Sequence, residues 1–211
     1  MATVHVVKQG ECIESIALEH DFFWETIWTH ENNKELRQKR SSGNVLRPGD
    51  EVYIPDKRVR VFAVESGKRH VFVRKGVPSK LNIVVRVDDE PMARTPYTLV
   101  VDGQRFEGTT DDSGRLAHPI SPRSLQGKLL VGLGDDQEEI DLELGHLDPV
   151  EELSGVQARL NNLGFFCGEV DGESDPLTEQ AIVDFKTRHG LEPTSTVDDA
   201  TRARLLELHG C

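Results

Sequence analysis

The chain has 211 residues, of which 36% are hydrophobic and 29% charged, a composition that supplies enough apolar material for a folded core. Its formal net charge of −12 disfavours general electrostatic binding to nucleic acid, because the phosphate backbone is itself anionic. No apolar run is long enough to cross a bilayer, and no secretory signal is visible at the start. We therefore expect no membrane insertion and a cytoplasmic location, or export to the periplasm or the outside by an unconventional route.

The cysteines and histidines do not form a metal-binding or nucleophilic pattern. Cys12, Cys167 and Cys211 give no CxxC spacing, and the eight histidines are scattered. This pattern favours reduced thiols, with a Cys167–Cys211 bridge on oxidation as the alternative. We expect no metal and no other cofactor.

Residues 1–56 predict a small β-α-α-β unit. The stretch TVHVV has the composition of a strand, and apolar residues recur at helical spacing through residues 13–20. We expect a second helix that starts near Phe23 and uses Phe23, Ile27 and Trp28 on its apolar side, with NKELRQKR extending it or forming a third helix. EVYIP is the predicted closing strand, and Trp24 and Trp28 are expected to supply much of the core.

Residues 57–148 change to the period of strands. RVRVFAVE, HVFVRK, LNIVVRVDD, YTLVVDG and QEEIDLEL are short runs rich in β-branched and apolar residues. Turns that contain Gly or Asp separate these runs. The pattern predicts a small β-sandwich that acts as a spacer and holds the two ends of the chain apart. EGTTDDSGRL predicts a hairpin with its tip at residues 112–114.

Residues 149–211 predict three helices, which makes the whole chain a multidomain α+β protein. Val156, Leu160 and Leu163 form one apolar stripe, and Leu177, Ala181, Ile182 and Phe185 form a second. Asp175 and Asp198 are expected to cap the second and third helices, Pro176 begins the second, and Gly190 and Gly210 end them.

Charge is unevenly distributed along the chain. Residues 57–80 contain eight Lys and Arg and one acid, whereas residues 135–152 contain nine acids and no Lys or Arg. Two solvated faces, or strands that pair across a sheet, would account for this distribution. The alternative is a polarised surface that docks a protein partner.

The N-terminal unit resembles a LysM module. The residues that carry the resemblance are HVVKQGECIESIA, followed by ENN and LRPGDEVYIP; Glu11 and Cys12 stand where the family has Asp and Thr. LysM modules fold as β-α-α-β and bind glycans that contain N-acetylglucosamine, such as peptidoglycan. The resemblance implies a glycan groove between the turn at residues 10–13 and the stretch at residues 31–33. Its candidate binding residues are Gly10, Glu11, Cys12, Ile13, Glu31, Asn32 and Asn33.

The C-terminal unit resembles the peptidoglycan-binding-1 helical domain. The matching stretches are GVQARLNNLGFFCGEVDG, LTEQAIVDFKTRHGL and TVDDATRARLLEL. Two loops depart from the family, with SDP in place of Gly-Pro and Thr194-Ser195 in place of Thr-Gly. The resemblance implies a glycan-binding surface on the loop at residues 166–171, with Phe166 and Asp171 as candidates.

Taken together, these features predict a non-catalytic, peptidoglycan-associated binding or adaptor protein without catalytic residues. The alternative is a protein–protein adaptor of a contractile injection apparatus, such as type VI secretion or a phage-like tail, because LysM-like units also occur in such machines. Its partners would be spike or baseplate proteins or secreted effectors. A cell-wall hydrolase is the third reading, although no thiol–imidazole pair, zinc ligand set or selectable carboxylate pair emerges from the sequence.

Overall fold

The computed structural model describes residues 2–57, 63–71, 79–87, 90–134 and 137–210. Across these residues it contains six α-helices and ten β-strands. Buried apolar side chains form three clusters, which draw on residues 7–54, 81–144 and 150–206. None of the helices in the described ranges is both long and apolar enough to cross a bilayer. The domain boundaries at residues 56 and 148 stay a prediction.

The N-terminal region places three short helices and a 3-10 turn against a two-stranded antiparallel sheet. Its elements are β1 Thr3–Val6, α1 Ile13–Glu19, α2 Trp24–Trp28, the 3-10 turn Glu31–Asn33, α3 Lys34–Lys39 and β2 Glu51–Ile54. Ile13, Ile16 and Ile27 pack with Val52 and Ile54 in its core. Lys34–Lys39 of the NKELRQKR stretch form a separate helix, which confirms the third-helix alternative and adds one helix to the predicted β-α-α-β order. The LysM resemblance itself stays a prediction.

The burial of Trp24, Trp28 and Phe23 differs from the prediction. Trp24 and Trp28 are half-buried and pack against the core that the isoleucines dominate. Phe23 is instead exposed and is the N-cap residue of α2, outside the helix itself. The core of this small unit is therefore mainly aliphatic.

The middle region consists of two facing sheets and a short hairpin. Its strands are β3 Ser79–Val84, β4 Arg86–Val87, β5 Glu90–Pro91, β6 Pro96–Val101, β7 Gln104–Thr109, β8 Arg115–Ile120, β9 Gln126–Val131 and β10 Glu138–Glu143. One sheet has the order β10-β9-β6-β7, a second pairs β3 with β8, and β4 pairs with β5. Leu99 and Leu129 from the first sheet share a core with Leu116 from the second, as in a sandwich. The predicted strands RVRVFAVE and HVFVRK lie largely outside the described residues.

The turn at residues 112–114 is not the tip of a hairpin. The chain does reverse there, since Gly114 N–H donates to Asp111 O at 3.0 Å. However, β7 pairs with β6 and β8 pairs with β3. The turn therefore carries the chain from one sheet to the other, which corrects the predicted hairpin.

The C-terminal region contains three helices, as the sequence predicts. They are α4 Leu153–Asn162, α5 Pro176–Arg188 and α6 Asp199–His209. Asp175 accepts a hydrogen bond from Thr178 N–H at 2.7 Å, and Asp198 accepts one from Thr201 N–H at 2.8 Å. Both predicted caps are thus present, and Gly210 ends α6 in the left-handed conformation.

The N-terminal and C-terminal regions contact each other directly through ion pairs. Glu152, the residue before α4, accepts from Arg47 Nη1 at 2.7 Å, and it lies 3.5 Å from Arg40 Nη1. The buried Arg40 also makes a two-point bond to Asp50, at 2.7 and 2.9 Å. The ends of the chain are thus not held apart by the middle region, in contrast to the spacer that the sequence predicts.

The middle region also packs on the turn between β1 and α1. A side-chain carbon added at Gly10 would lie 2.6 Å from Leu125 Cδ2, and one added at Gly145 would lie 3.0 Å from Gly10 O. Glu14, in α1, accepts a hydrogen bond from the Ser79 hydroxyl. The first turn of the N-terminal region is therefore an internal contact surface.

Candidate functional site

The buried side chain of Gln157 makes several of the bonds that hold the loop between α4 and α5. Its Oε1 accepts from Gly172 N–H at 2.8 Å. Its Nε2 lies within 3.2 Å of Asp171 Oδ1, Glu173 O and Thr178 Oγ1. The amide thus fixes both the Asp-Gly turn and the first residues of α5, so the loop has a defined shape.

Gly155 and Arg159 attach the start of α4 to the preceding segment. A side-chain carbon at Gly155 would overlap the Pro149 carbonyl oxygen, so the close helix–chain contact requires glycine. The buried Arg159 donates from Nη1 to Asp148 O at 2.8 Å and to Gly155 O at 2.7 Å. Both residues of the GVQAR stretch therefore serve the scaffold.

Cys167 is buried inside the same loop. Its Sγ lies 3.3 Å from Gln157 O and 3.3 Å from Asn161 Oδ1. Burial, with the nearby charges of Asp175 and Asp171, raises the pKa of the Cys167 thiol. A buried thiol with a raised pKa carries little thiolate, so Cys167 is a packing residue. Cys211 lies outside the described residues, and its predicted pairing stays untested.

An open groove of about 580 Å³ runs between this loop and the exposed side of α5. Phe166 is 74% exposed at its rim, and Leu177 is half exposed beside it. Phe165 forms the floor, where its ring packs edge-on against Phe185 at 5.3 Å. The residues that line the groove are Gly164, Phe165, Phe166, Leu177, Gln180, Ala181, Asp184, Thr187 and Arg188.

The polar side chains of the groove all come from α5. Gln180 Nε2 donates to Asp184 Oδ1 at 2.8 Å, and the Arg188 guanidinium lies 5.2 Å from the centre of the Phe165 ring. Thr187 bonds back to Val183 O in its own helix. An amide, a carboxylate and a guanidinium thus stand beside one exposed ring, that of Phe166, and the exposed Leu177, an arrangement that suits a ligand with one apolar face and a hydroxyl- or amide-bearing edge.

Comparison with known proteins identifies this part of the chain. Residues 150–205 match the family model described as "Putative peptidoglycan binding domain". The C-terminal region is therefore similar to this family of domains over those residues, which confirms the sequence-based resemblance for this part of the chain. No curated protein and no solved structure gives a significant match.

The two candidates in this peptidoglycan-binding-like domain have different surroundings. Phe166 lies at the rim of the groove, free to contact a ligand. Asp171 Oδ1 instead accepts from Glu173 N–H at 2.8 Å and from Gln157. The Glu173 N–H and Gln157 bonds lower the pKa of Asp171. Its geometry therefore serves the turn, while Phe166 faces outward.

The candidates at residues 10–13 lie against other parts of the protein. Gly10 meets Leu125 and Gly145, as described above, and Ile13 is in the core, where its N–H donates to Gly43 O at 2.9 Å. Cys12 precedes α1, and its N–H donates to Ser15 Oγ at 2.9 Å. These contacts explain the local sequence through packing and capping.

Glu11 forms a polar pair at the same turn. Its Oε2 lies 2.7 Å from His5 Nε2 and accepts from Lys8 N–H at 2.9 Å. Burial alone would raise the pKa of Glu11, but the bonds from His5 and Lys8 outweigh it and the net shift is downward. The carboxylate is thus held within the turn.

The candidates at residues 31–33 do not meet that turn. Glu31 is exposed and faces Lys34, and Asn32 is exposed with its N–H bonded to His30 Nδ1 at 3.2 Å. Asn33 is 1% exposed, and its amide bonds the backbone of Ile27 and Tyr53. Within the described ranges no hydrogen bond or ion pair joins residues 10–13 to residues 31–33. The groove predicted between them thus has no polar contact across it.

The sequence reasoning missed the contribution of α5 to the groove. It assigned Leu177 to the apolar stripe with Ala181 and Phe185, whereas the structure exposes Leu177. At about 100° per residue, Leu177 lies about 100° from the middle of the buried face of α5. The spacing of the residues along the helix predicts this angle, and it places Leu177 on the same side of α5 as Gln180 and Asp184.

Proposed function

We propose that the chain is a non-catalytic, peptidoglycan-associated adaptor whose C-terminal groove binds the polymer. The observation that carries this proposal is the exposed Phe166 ring at the rim of a groove in the matched domain. An aromatic ring covers the apolar face of a sugar, while Gln180, Asp184 and Arg188 are placed to bond hydroxyl, acetamido or stem-peptide groups. The Gln157 network supports the site by fixing the loop that carries the ring.

The non-catalytic assignment is part of the proposal. It is supported by Cys167, because a cysteine hydrolase would need an accessible thiolate and this thiol is buried with a raised pKa. We expect the pure protein to release no soluble muropeptides from sacculi. Release that depends on the protein would instead favour a cell-wall hydrolase.

Retention of the full chain on purified sacculi tests the binding proposal. We expect Phe166→Ala to weaken retention by about tenfold, since the loss of one exposed aromatic anchor removes much of the contact energy of such a site. Val170→Ala is the matched control, because Val170 is a half-exposed apolar residue of the same loop outside the groove. Equal retention of the wild type and Phe166→Ala, or equal loss in both variants, would contradict the assignment.

A second candidate function is that of a protein–protein adaptor in a contractile injection apparatus. It is favoured by the exposed acidic row of β10, formed by Glu139, Asp141 and Glu143. Lys128 pairs with the first two of these residues, which leaves the row acidic overall. Co-purification of the tagged full chain with spike or baseplate proteins tests this candidate, and sacculi binding without any such protein would count against it.

A further inference from the structure

The outer edge of β1 carries backbone groups that β2 does not use. Val7 donates its N–H to Asp50 O at 2.9 Å, which places Val7 and every second residue before it at hydrogen-bonded positions of the antiparallel ladder. Val4 and Val6 occupy the alternate positions, so their N–H and C=O groups point away from β2. In the described part of the chain, no group bonds to these outward N–H and C=O groups.

The opposite edge of the same sheet is already closed by a side chain. Tyr53 N–H donates to Asn33 Oδ1 at 2.7 Å, and Asn33 Nδ2 donates to Tyr53 O at 2.9 Å. The buried Asn33 amide therefore replaces a neighbouring strand for β2. Proteins usually protect strand edges in such ways, whereas the outer edge of β1 has no such cover from any residue that the structure describes.

The side chains beside the open edge are apolar and exposed. Val4 is 53% and Val6 54% exposed, and the register places them opposite Tyr53 and Glu51 on the outer face of the sheet. This face borders a groove of about 440 Å³ that Val4 and Tyr53 help to line, together with Glu35 and Glu51. An added strand would find both backbone partners and an apolar surface here.

The charge of this groove selects the occupant. Asp50 is offset by its two-point bond to Arg40 and by the exposed Lys39, which also lines the groove and lies 3.4 Å from Asp50 Oδ1, so the acidity of the groove comes from Glu35 and Glu51. Glu35 and Glu51, by contrast, make no ion pair within the described residues. A second copy of this chain, with its net charge of −12, would bring the same carboxylates to the contact and be repelled.

We propose that an extended, cationic segment of a protein partner adds to β1 as a third strand. Its backbone bonds the outward N–H and C=O groups of Val4 and Val6, which no described residue uses, and its outer-face Lys or Arg side chains extend across Val4 and Val6 toward Glu51 and the groove that Glu35 lines. Strand addition of this kind draws affinity from main-chain bonds and specificity from alternate side chains. The site is separate from the C-terminal groove and does not depend on peptidoglycan binding.

A synthetic peptide of alternating lysine and valine, capped at both ends, is the probe. We expect calorimetric titration into the full chain at low salt to show binding, and an analogue with glutamate for lysine to bind at least about tenfold more weakly. Methylation of the amides along one edge of the peptide should abolish binding, while methylation along the other edge should be tolerated, because only one edge faces β1. Equal binding of the two methylated peptides would overturn the proposal.

Variants of the protein locate the site. The double variant Glu35→Gln/Glu51→Gln should lower the affinity for the peptide by about tenfold, as expected for the loss of two exposed ion pairs. The fold should be unaffected. Glu31→Gln is the matched control, because Glu31 is an exposed carboxylate outside this groove. Val4→Pro removes an edge N–H that the β1–β2 ladder does not use and should abolish binding.

Three results would overturn the assignment. The first is unchanged affinity in the Glu35→Gln/Glu51→Gln variant, which remains informative if Val4→Pro fails to fold. The second is displacement of the bound peptide by chito-oligosaccharide, which would show that the groove binds sugar. The third is a dimer in sedimentation analysis that Val4→Pro dissociates and the peptide does not affect.

Discussion

At the scale of single residues, Gln157 contributes most clearly to the order of the binding loop. It is buried, accepts from Gly172 N–H, and has Asp171, Glu173 and Thr178 acceptors around its amide nitrogen. We expect Gln157→Ala to lower the free energy of unfolding by about 2–4 kcal/mol, because it creates a cavity and leaves buried groups without partners. Urea denaturation of the full chain at neutral pH measures the loss.

Gln180→Ala is the control for that measurement. Gln180 is exposed, and its amide bonds Asp184 within the same helix. We expect Gln180→Ala to change the free energy of unfolding by no more than about 0.5 kcal/mol. If the two alanine variants lose similar stability, the Gln157 network is not the element that orders the loop.

Some residue roles could be predicted from the sequence and others could not. The exposure of one ring of the Phe165-Phe166 pair was predictable, because one of two adjacent loop phenylalanines is expected to face outward, and it is Phe166 that is exposed. The structural role of Asn33 was not predictable, because its amide bonds the backbone of Tyr53, 20 residues further along. A polar residue whose partner lies on another element carries no local sign of its burial.

At the scale of elements, the cap of α6 gives a prediction on pH. Asp198 accepts from the hydroxyl and the N–H of Thr201, and it pairs with the buried Lys186 ammonium at 2.9 Å. The Thr201 hydroxyl, Lys186 and the Thr201 N–H hold the pKa of Asp198 far below its ordinary value of 3.8. A lowered folded-state pKa contributes stability that is complete above the unfolded-state pKa and is lost as pH falls below it.

We therefore expect the stability gap between the wild type and Asp198→Asn to be largest near neutral pH and to narrow as the pH falls below about 4. Urea midpoints at about pH 6 and about pH 3 measure the gap. Asp199→Asn is the control, since Asp199 is exposed and pairs only loosely with Arg202, at 3.5 Å. A gap that stays constant with pH would show that the Asp198 carboxylate does not contribute through its charge.

Elements also show where local chemistry is sufficient to predict structure. The caps at Asp175 and Asp198 depend on groups within three residues, so the sequence predicted them correctly. The turn at residues 112–114 was equally visible, but the pairing of β7 with β6 and of β8 with β3 was not. A turn sequence specifies a chain reversal, whereas strand partners depend on long-range packing.

At the scale of the whole molecule, Glu152 links the first and last regions. Its carboxylate contacts Arg47 at 2.7 Å and Arg40 at 3.5 Å, while Arg40 keeps a separate bond to Asp50. Loss of the Glu152 charge therefore removes the link without leaving Arg40 unpaired. The two tryptophans, Trp24 and Trp28, both lie in the N-terminal region, so tryptophan fluorescence reports on that region alone.

We expect the fluorescence and circular dichroism midpoints of thermal unfolding to coincide in the wild type and to separate in Glu152→Gln. The fluorescence midpoint should fall by about 5 °C, as follows from the loss of about 1 kcal/mol of coupling in a small domain. Glu151→Gln, at the exposed neighbouring position, should leave both midpoints unchanged. Coincident and unshifted midpoints in Glu152→Gln would mean that the link does not couple the regions. Separation in the Glu152 variant alone would show that a ligand at the C-terminal groove and a partner on β1 act on one cooperative body, because the contact then transmits stability between the regions that carry them.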